Sequence, residues 1–270
     1  MTESSPVSRL PGAHRPVALV TGPTSGIGLA YATRLASLGY DLVLVARNKE
    51  RLEALAHDVE VRFGARAEIL RADLAEPDDR DEVAARAAQG VEFLVNNAGF
   101  GTSGEFWKLE PGELQAQLDV NVTSVVQLTR AALPPMVHAA KGTIVNVASM
   151  AGLVSGRGST YSASKAYVVS FSEGLAGGLA GTGVRVQALC PGLVRTEFHE
   201  RAGIETESLP KPLWLTVDEV VAGSLRDLDR DRVISVPGLQ YKAIAAVAGL
   251  LPRSVAARLN RGLFNARGRT

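Results

Sequence analysis

Short runs rich in Val, Ile and Leu alternate along this chain with longer stretches of helical apolar spacing, and few architectures accept that order. Strands covered on both faces read as continuous apolar runs, and the intervening helices must supply the cover. The pattern therefore predicts an α/β fold, a parallel sheet of about seven strands with helices on both faces. Strands are expected near Val17–Thr21, Leu42–Ala46, Glu68–Ala72, Phe93–Asn96, Thr143–Ala148, Val184–Leu189 and Val233–Val236. Between them, Ile27–Leu38, Lys49–Phe63 and Asp78–Gln89 read as helices closed by Gly39, Gly64 and Gly90, as glycine's preference just past a helix end predicts. Helical stretches at 111–140 and 161–180 and a shorter one at Val217–Arg230 complete the set, with Pro134 and Pro135 expected to end or kink the first.

At 270 residues the chain is expected to form one such domain over residues 16–237, preceded by a disordered leader, 1–15, and followed by a basic amphipathic helical extension, 238–270. The leader has no apolar core of the kind a secretory signal needs. Cys190 is the single cysteine and lies in an apolar run, which predicts a small core residue in a reducing, cytoplasmic setting. Lys and Arg number 29 against 28 Asp and Glu, a balance that argues against a whole-domain nucleic-acid footprint. From Arg232 onward there is no acidic residue, while Arg232, Lys242, Arg253, Arg258, Arg261, Arg267 and Arg269 are basic. The longest apolar run in that segment, Ala243 to Leu251, falls well short of the ~20 residues a membrane-spanning helix needs.

The first expected strand runs into Thr21-Gly22-Pro23-Thr24-Ser25-Gly26-Ile27-Gly28, and a helix follows. Glycines at 22, 26 and 28 permit a tight turn and close backbone approach, so the free N–H groups at the helix N-terminus can face a pyrophosphate. The spacing differs from the usual Gly-x-Gly-x-x-Gly fingerprint.

Thr21–Gly28 has the TGxxxGxG form of the short-chain dehydrogenase/reductase family, and further positions match that family in order and spacing. They are Asp73-Leu74, Asn96-Asn97-Ala98-Gly99, Asn121, Ser149, Tyr161-x3-Lys165, and Pro191-Gly192-Leu193-Val194-Arg195-Thr196. The resemblance spans about Val17 to Val236. It implies a Rossmann-type, doubly wound sheet and a nicotinamide cofactor held by Gly22, Thr24, Ser25, Gly26, Ile27, Gly28, Arg47, Asp73, Leu74, Asn97, Ala98, Gly99, Tyr161, Lys165, Pro191, Gly192, Val194 and Thr196. No metal is implied, and His14, His57, His138 and His199 match no ligand spacing.

Cofactor choice is read at the end of the second strand, where open α/β sheets bind ligands. Asp41 begins that strand and is rejected as the ribose carboxylate. The strand ends in Ala46-Arg47, and a guanidinium there can pair with a 2′-phosphate, so NADP is expected over NAD, with Arg51 one helical turn further on.

Tyr161 and Lys165, four apart in a helical stretch, project from one face. A free phenol has a pKa near ~10. A nearby ammonium, worth about 4 kcal/mol at ~4 Å and an effective dielectric of ~20, and the positive nicotinamide of an oxidised cofactor favour the phenolate and are expected to lower that value. The resemblance implies that the Tyr161 phenol protonates a carbonyl oxygen, Lys165 lowers its pKa and binds the nicotinamide ribose, Ser149 holds that oxygen, and Asn121 organises a relay water. Gly174, Gly177 and Gly178, in a helix that in the family often packs against its mate in a dimer, either admit a close neighbour or are simply tolerated.

The loops expected to rim the site carry Phe100, Phe106, Trp107, Met150, Leu153, Val154, Leu193, Phe198, Leu213 and Trp214. They predict an apolar pocket for a steroid-like ketone, a 3-oxoacyl chain or another lipid carbonyl. In the extension, Ile244, Val247, Leu250 and Leu251 recur at helical spacing before Pro252. That face could cover the pocket, a partner subunit in a homodimer or homotetramer, or, second in rank, an anionic membrane surface. The expected activity is NADP-dependent interconversion of a ketone or aldehyde and an alcohol. The rival is a non-catalytic NADP-binding regulator on the same fold, which would usually lose the Tyr or the Lys.

Overall fold

A computed structural model of the chain describes residues 15–102, 104–154, 159–196 and 211–250. Its strands are β1 (Val17–Thr21), β2 (Asp41–Ala46), β3 (Ala67–Arg71), β4 (Phe93–Asn96), β5 (Gly142–Val147), β6 (Val184–Leu189) and β7 (Ile234–Ser235). They form one parallel sheet in the order β3-β2-β1-β4-β5-β6-β7, the doubly wound Rossmann-type arrangement. Strand order reverses between β1 and β4, which opens a crevice at their carboxyl ends.

Nine α-helices are described: α1 (Gly26–Ser37), α2 (Lys49–Phe63), α3 (Pro77–Ala88), α4 (Pro111–Leu118), α5 (Ser124–His138), α6 (Met150–Leu153), α7 (Ser159–Gly178), α8 (Val217–Leu228) and α9 (Leu239–Leu250). Alternate strand residues feed two cores, because successive side chains point to opposite faces. Ala18, Val20, Leu42 and Leu44 pack with Tyr31 and Leu35 of α1 and Leu52 and Val59 of α2. On the other face, Leu19, Val43, Val45 and Leu94 meet Val83 and Ala87 of α3 and Leu128, Ala132 and Met136 of α5. Each such leucine or valine contributes roughly 1.5–3 kcal/mol.

The stretch expected as one helix over 111–140 is α4, a π-helical turn at Asp119–Thr123, and α5. Pro134 and Pro135 do not end it, since α5 continues to His138. Each proline removes one backbone donor, but the turns that contain them bury Ala132 and Met136 against the sheet, and that burial outweighs the lost bonds. β3 and β5 begin one residue earlier than expected, and β7 at the sheet edge shrinks to two residues. Asp41 does begin β2, where its carboxylate accepts from the Arg66 amide at 2.9 Å.

Residues 1–14 of the expected leader lie outside the described residues, while Arg15 donates to the Gly39 carbonyl at 3.1 Å. The first part of the expected extension is α9, which packs against α6, and residues 251–270 lie outside the described set. Among the described residues no helix is long and apolar enough to cross a membrane.

Candidate active site

Thr21, at the end of β1, joins the two strands where the order reverses. Its Oγ1 accepts from the amides of Asn97 and Ala98, each at 2.9 Å, and donates to the Val95 carbonyl at 3.4 Å. Asn97 returns the link through Nδ2, which donates to the carbonyls of Thr21 at 2.9 Å and Gly22 at 3.0 Å. Gly22 and Gly26 have φ of 62° and 56°, the left-handed region that favours glycine. A Cβ on Gly28 would lie 2.2 Å from the Gly22 carbonyl oxygen and 2.4 Å from Asn97 Nδ2, so only glycine fits.

The residues present fit a dinucleotide. The α2 N-terminus is capped by the Asn48 side chain and that of α8 by a Thr216–Glu219 capping box, whereas Ser25 before α1 makes no side-chain cap and the first turn of α1 holds no acid. The Ser25 side chain thus takes none of its first-turn N–H groups, which lie beside half-buried Thr24, Ser25 and Ile27. Thr196, from beyond β6, covers this helix end: a Cβ on Gly26 would come within 3.0 Å of its Cγ2. At the ends of β2 and β3, Arg47 is largely exposed and forms a 3.6 Å ion pair with Asp73. Asp73 Oδ1 also accepts from the Ala75 amide at 3.0 Å, and buried Leu74 passes its carbonyl to Arg80 Nη1 at 2.9 Å.

Four further side chains converge beyond β4 and β5. Asn121 sits in the π-helical turn, fully buried, where Oδ1 accepts from the Phe100 amide at 3.1 Å and Nδ2 donates to the Phe100 carbonyl at 2.9 Å and Ser164 Oγ at 3.2 Å. Ser149 is the N-cap of α6, its Oγ accepting from the Ala151 amide at 3.1 Å. The Tyr161 and Ser149 side chains share a hydrogen bond. Lys165, one turn on from Tyr161 in α7, places Nζ 5.8 Å from the Tyr161 ring centroid and donates to the Val147 carbonyl at 2.8 Å. A Cβ on Gly99 would lie 2.9 Å from Asn121 Oδ1 and 3.2 Å from Lys165 Nζ, so Gly99 is the gap between these two groups.

Burial sets the electrostatics. It pushes the Tyr161 phenol up to about 12, with the Ser149 hydrogen bond opposing, and pushes the Lys165 ammonium down to about 8. The expected lowering counted the charge of an oxidised nicotinamide as well as Lys165, and in the chain by itself desolvation of the phenolate dominates. The arrangement holds a neutral O–H donor across the physiological range, beside a second hydroxyl and a mostly charged lysine.

Sequence reasoning missed several groups. Ser164, whose Oγ donates to the Tyr161 carbonyl at 2.7 Å, joins Asn121 to α7. Thr129, Asn146 and Ser172 form a buried polar chain beneath the site with Asn96, the first residue of the motif at the end of β4. Tyr241 of α9 packs on Gly192, which local pattern could not show because the two are far apart in sequence. Of the expected apolar rim, Trp107 and Phe106 are exposed, while Phe100, Leu153, Val154 and Leu193 pack onto the cores, and Phe198 lies outside the described residues. No group of three or more His, Cys, Asp or Glu suited to a metal occurs among the described residues.

Residues 16–206 match the family model described as short chain dehydrogenase. A very-long-chain 3-oxoacyl-CoA reductase of Anas platyrhynchos is 36% identical over 215 residues, covering 77% of this chain and 68% of the relative. A sulfoacetaldehyde reductase of Chromohalobacter salexigens is 41% identical over 185 residues, covering 66% and 72%. Among solved structures, a short-chain dehydrogenase of Sphingobium yanoikuyae in complex with NADPH superposes with a TM-score of 0.81 at 37% identity, covering 94% of this chain and 97% of that one.

Proposed function

The chain belongs to the short-chain dehydrogenase family and is an oxidoreductase, and from that premise we propose that it uses NADP(H) to interconvert a bulky apolar ketone or aldehyde and its alcohol. The observation that carries this reading is the hydrogen-bonded Ser149–Tyr161 pair with Lys165 and Asn121 flanking Gly99 at the mouth of the crevice. The nicotinamide, when bound, supplies or accepts the hydride. Tyr161 donates its proton to the carbonyl oxygen, and Ser149 holds that oxygen through a second hydroxyl. Lys165 stabilises the phenolate that remains, and its ribose contact is assigned to the same Nζ. Asn121 is assigned the relay water, and its three hydrogen bonds fix its amide for that task.

The cofactor contacts are assigned to Gly22, Thr24, Ser25, Gly26, Ile27 and Gly28 at the phosphates, to Arg47 at the 2′-phosphate, and to Asp73, Leu74, Asn97, Ala98, Gly99, Pro191, Gly192, Val194 and Thr196 along the remainder. NADP is supported by Arg47 in the place where a carboxylate would repel the extra phosphate. The apolar substrate is supported by exposed Phe106 and Trp107 on the loop after β4. A homo-oligomer is supported by Gly174, Gly177 and Gly178 of α7, since a Cβ on any of them would meet nothing within 4 Å among the described residues outside its own helix turn.

NADPH consumption against a carbonyl panel, from a short aldehyde to a steroid ketone and a 3-oxoacyl thioester, tests the reading. Turnover that rises with apolar bulk is expected. NADPH binding without turnover of any carbonyl would favour the non-catalytic regulator.

A further inference from the structure

The chain leaves β6 at Leu189, makes an excursion from about residue 193 to residue 215, and returns to α8. The neck of that excursion is closed by a short parallel bridge: Val194 pairs with Leu215, the Leu215 amide donates to the Leu193 carbonyl at 2.9 Å, and the Arg195 amide donates to the Leu215 carbonyl at 3.1 Å. Between the two arms lies one side chain from another element. Tyr241 of α9 accepts from the Leu193 amide at 2.8 Å and donates to the Leu213 carbonyl at 2.8 Å, so a single hydroxyl spans both sides of the neck. The ring is buried, 6% exposed, and lies flush on Gly192, where an added Cβ would fall 2.0 Å from its Cζ.

Thr196 follows the same neck and lies over Gly26 at the start of α1, and Pro191 accepts from the Met150 amide at 3.0 Å one residue beyond Ser149. The neck therefore sits between the cofactor loop and the catalytic hydroxyls. We propose that Tyr241 is a positioning residue: it clasps the neck of the 193–215 excursion, so that the first residues of the C-terminal segment set how Thr196 and the Pro191–Val194 strip meet cofactor and substrate. The proposal rests on the functional reading above for its kinetic consequence but not for its structural one. Each hydroxyl bond is short, part-buried and made to a backbone atom that the bridge itself does not use, and neither bond involves Tyr161 or Lys165. The effect should therefore fall on binding and leave proton transfer alone.

The test is Tyr241→Phe in the full chain, which keeps the ring on Gly192 and removes both hydrogen bonds. Amide hydrogen exchange in 193–196 and 211–216 should quicken, while β5 and α1 stay protected. The NADPH dissociation constant and the KM for the best carbonyl should rise about tenfold, the loss expected for two neutral hydrogen bonds. Turnover should stay within about threefold and the pH profile should not move. Unchanged exchange and unchanged NADPH affinity would overturn the clasp. A lowered melting temperature with KM and NADPH affinity unaltered would reduce Tyr241 to a packing residue, and a fall in kcat alone would refute positioning. If the parent protein turned over no carbonyl, exchange and NADPH affinity would still decide the clasp, while the proposed reaction would fail separately.

Discussion

Lys165 Nζ donates a 2.8 Å hydrogen bond to the carbonyl of Val147, the last residue of β5, and this ties the buried ammonium to the sheet directly behind Ser149. Only 5% of Lys165 is exposed, so the charge is kept at a cost to the fold. Burial pushes its pKa down to about 8 from an unfolded value of 10.5. Below pH 8 both states hold the proton and the full desolvation cost is present; between pH 8 and 10.5 the unfolded chain binds more protons, and stability rises as the cost is relieved.

Lys165→Met should accordingly abolish turnover yet raise unfolding free energy at pH 7, by up to about 3 kcal/mol on the basis of 1.36 kcal/mol per pKa unit. The gain over the parent should shrink to under about 1 kcal/mol by pH 10. Denaturant unfolding at the two pH values measures this, and a variant less stable than the parent at pH 7 would mean that the Val147 hydrogen bond outweighs desolvation.

Tyr161→Phe removes the proton donor and little else. Turnover should fall by about 10²–10⁴, the range for loss of a general acid, with NADPH affinity within a few-fold of the parent. In the parent, Tyr161 stays protonated to about pH 12 before cofactor binds, so the basic limb of kcat/KM for reduction should follow Lys165 and appear near pH 8. A flat profile through pH 9 would refute that assignment.

Arg47 lies 3.6 Å from Asp73 and is otherwise exposed, so a 2′-phosphate would compete with a weak surface pair. NADPH should bind at least tenfold more tightly than NADH, since a charge-assisted phosphate contact contributes about 1.5–3 kcal/mol. Arg47→Ala should erase most of that preference by weakening NADPH alone. Equal dissociation constants for the two cofactors in the parent would exclude Arg47 as the selector.

Thr21→Val preserves shape but leaves the amides of Asn97 and Ala98 without their acceptor. A fully buried unsatisfied donor costs about 1–3 kcal/mol and these amides are part-buried, so the variant should lose about 1–3 kcal/mol in denaturant unfolding and bind NADPH more weakly through a loosened Gly22 turn. Full stability with weakened binding would show that water replaces the hydroxyl.

Much of this site was legible because its parts announce themselves locally. Gly22, Gly26 and Gly28 follow an apolar strand, and Tyr161 and Lys165 share a helix face, so the motifs are visible locally, while their roles came from the ordered set and its resemblance to the short-chain dehydrogenase/reductase family. Cooperation across long separations was not legible. Tyr241, in the first turn of α9, meets Gly192 beyond the end of β6 across a separation of 49 residues, and a lone tyrosine in an apolar helix carries no such signal. The raised Tyr161 pKa of the chain by itself was not legible for a related reason: neighbouring charges could be counted from the sequence, but the burial that sets the direction depends on the packing of α6 and α7. Of the two outcomes expected at Pro134 and Pro135, an end or a kink, the end does not occur, because the burial of Met136 that holds the last turn is a tertiary contact.

The last prediction concerns the exposed apolar side chains of α9, where Leu239, Ile244 and Val247 are 83%, 43% and 58% exposed. Covering three aliphatic side chains with a second copy of the chain is worth several kcal/mol at roughly 1.5–3 kcal/mol each, whereas each basic residue near an anionic bilayer adds only about 1 kcal/mol. Packing against a partner subunit is therefore the expected use, and it should be insensitive to salt. Replacing all three with serine should shift the protein toward a smaller species in light scattering at low and high ionic strength alike, with Tyr241 and the neck intact. Should the oligomer survive the substitutions, and should the parent bind anionic vesicles at low salt and release them at high salt, the apolar face would belong to a lipid surface instead.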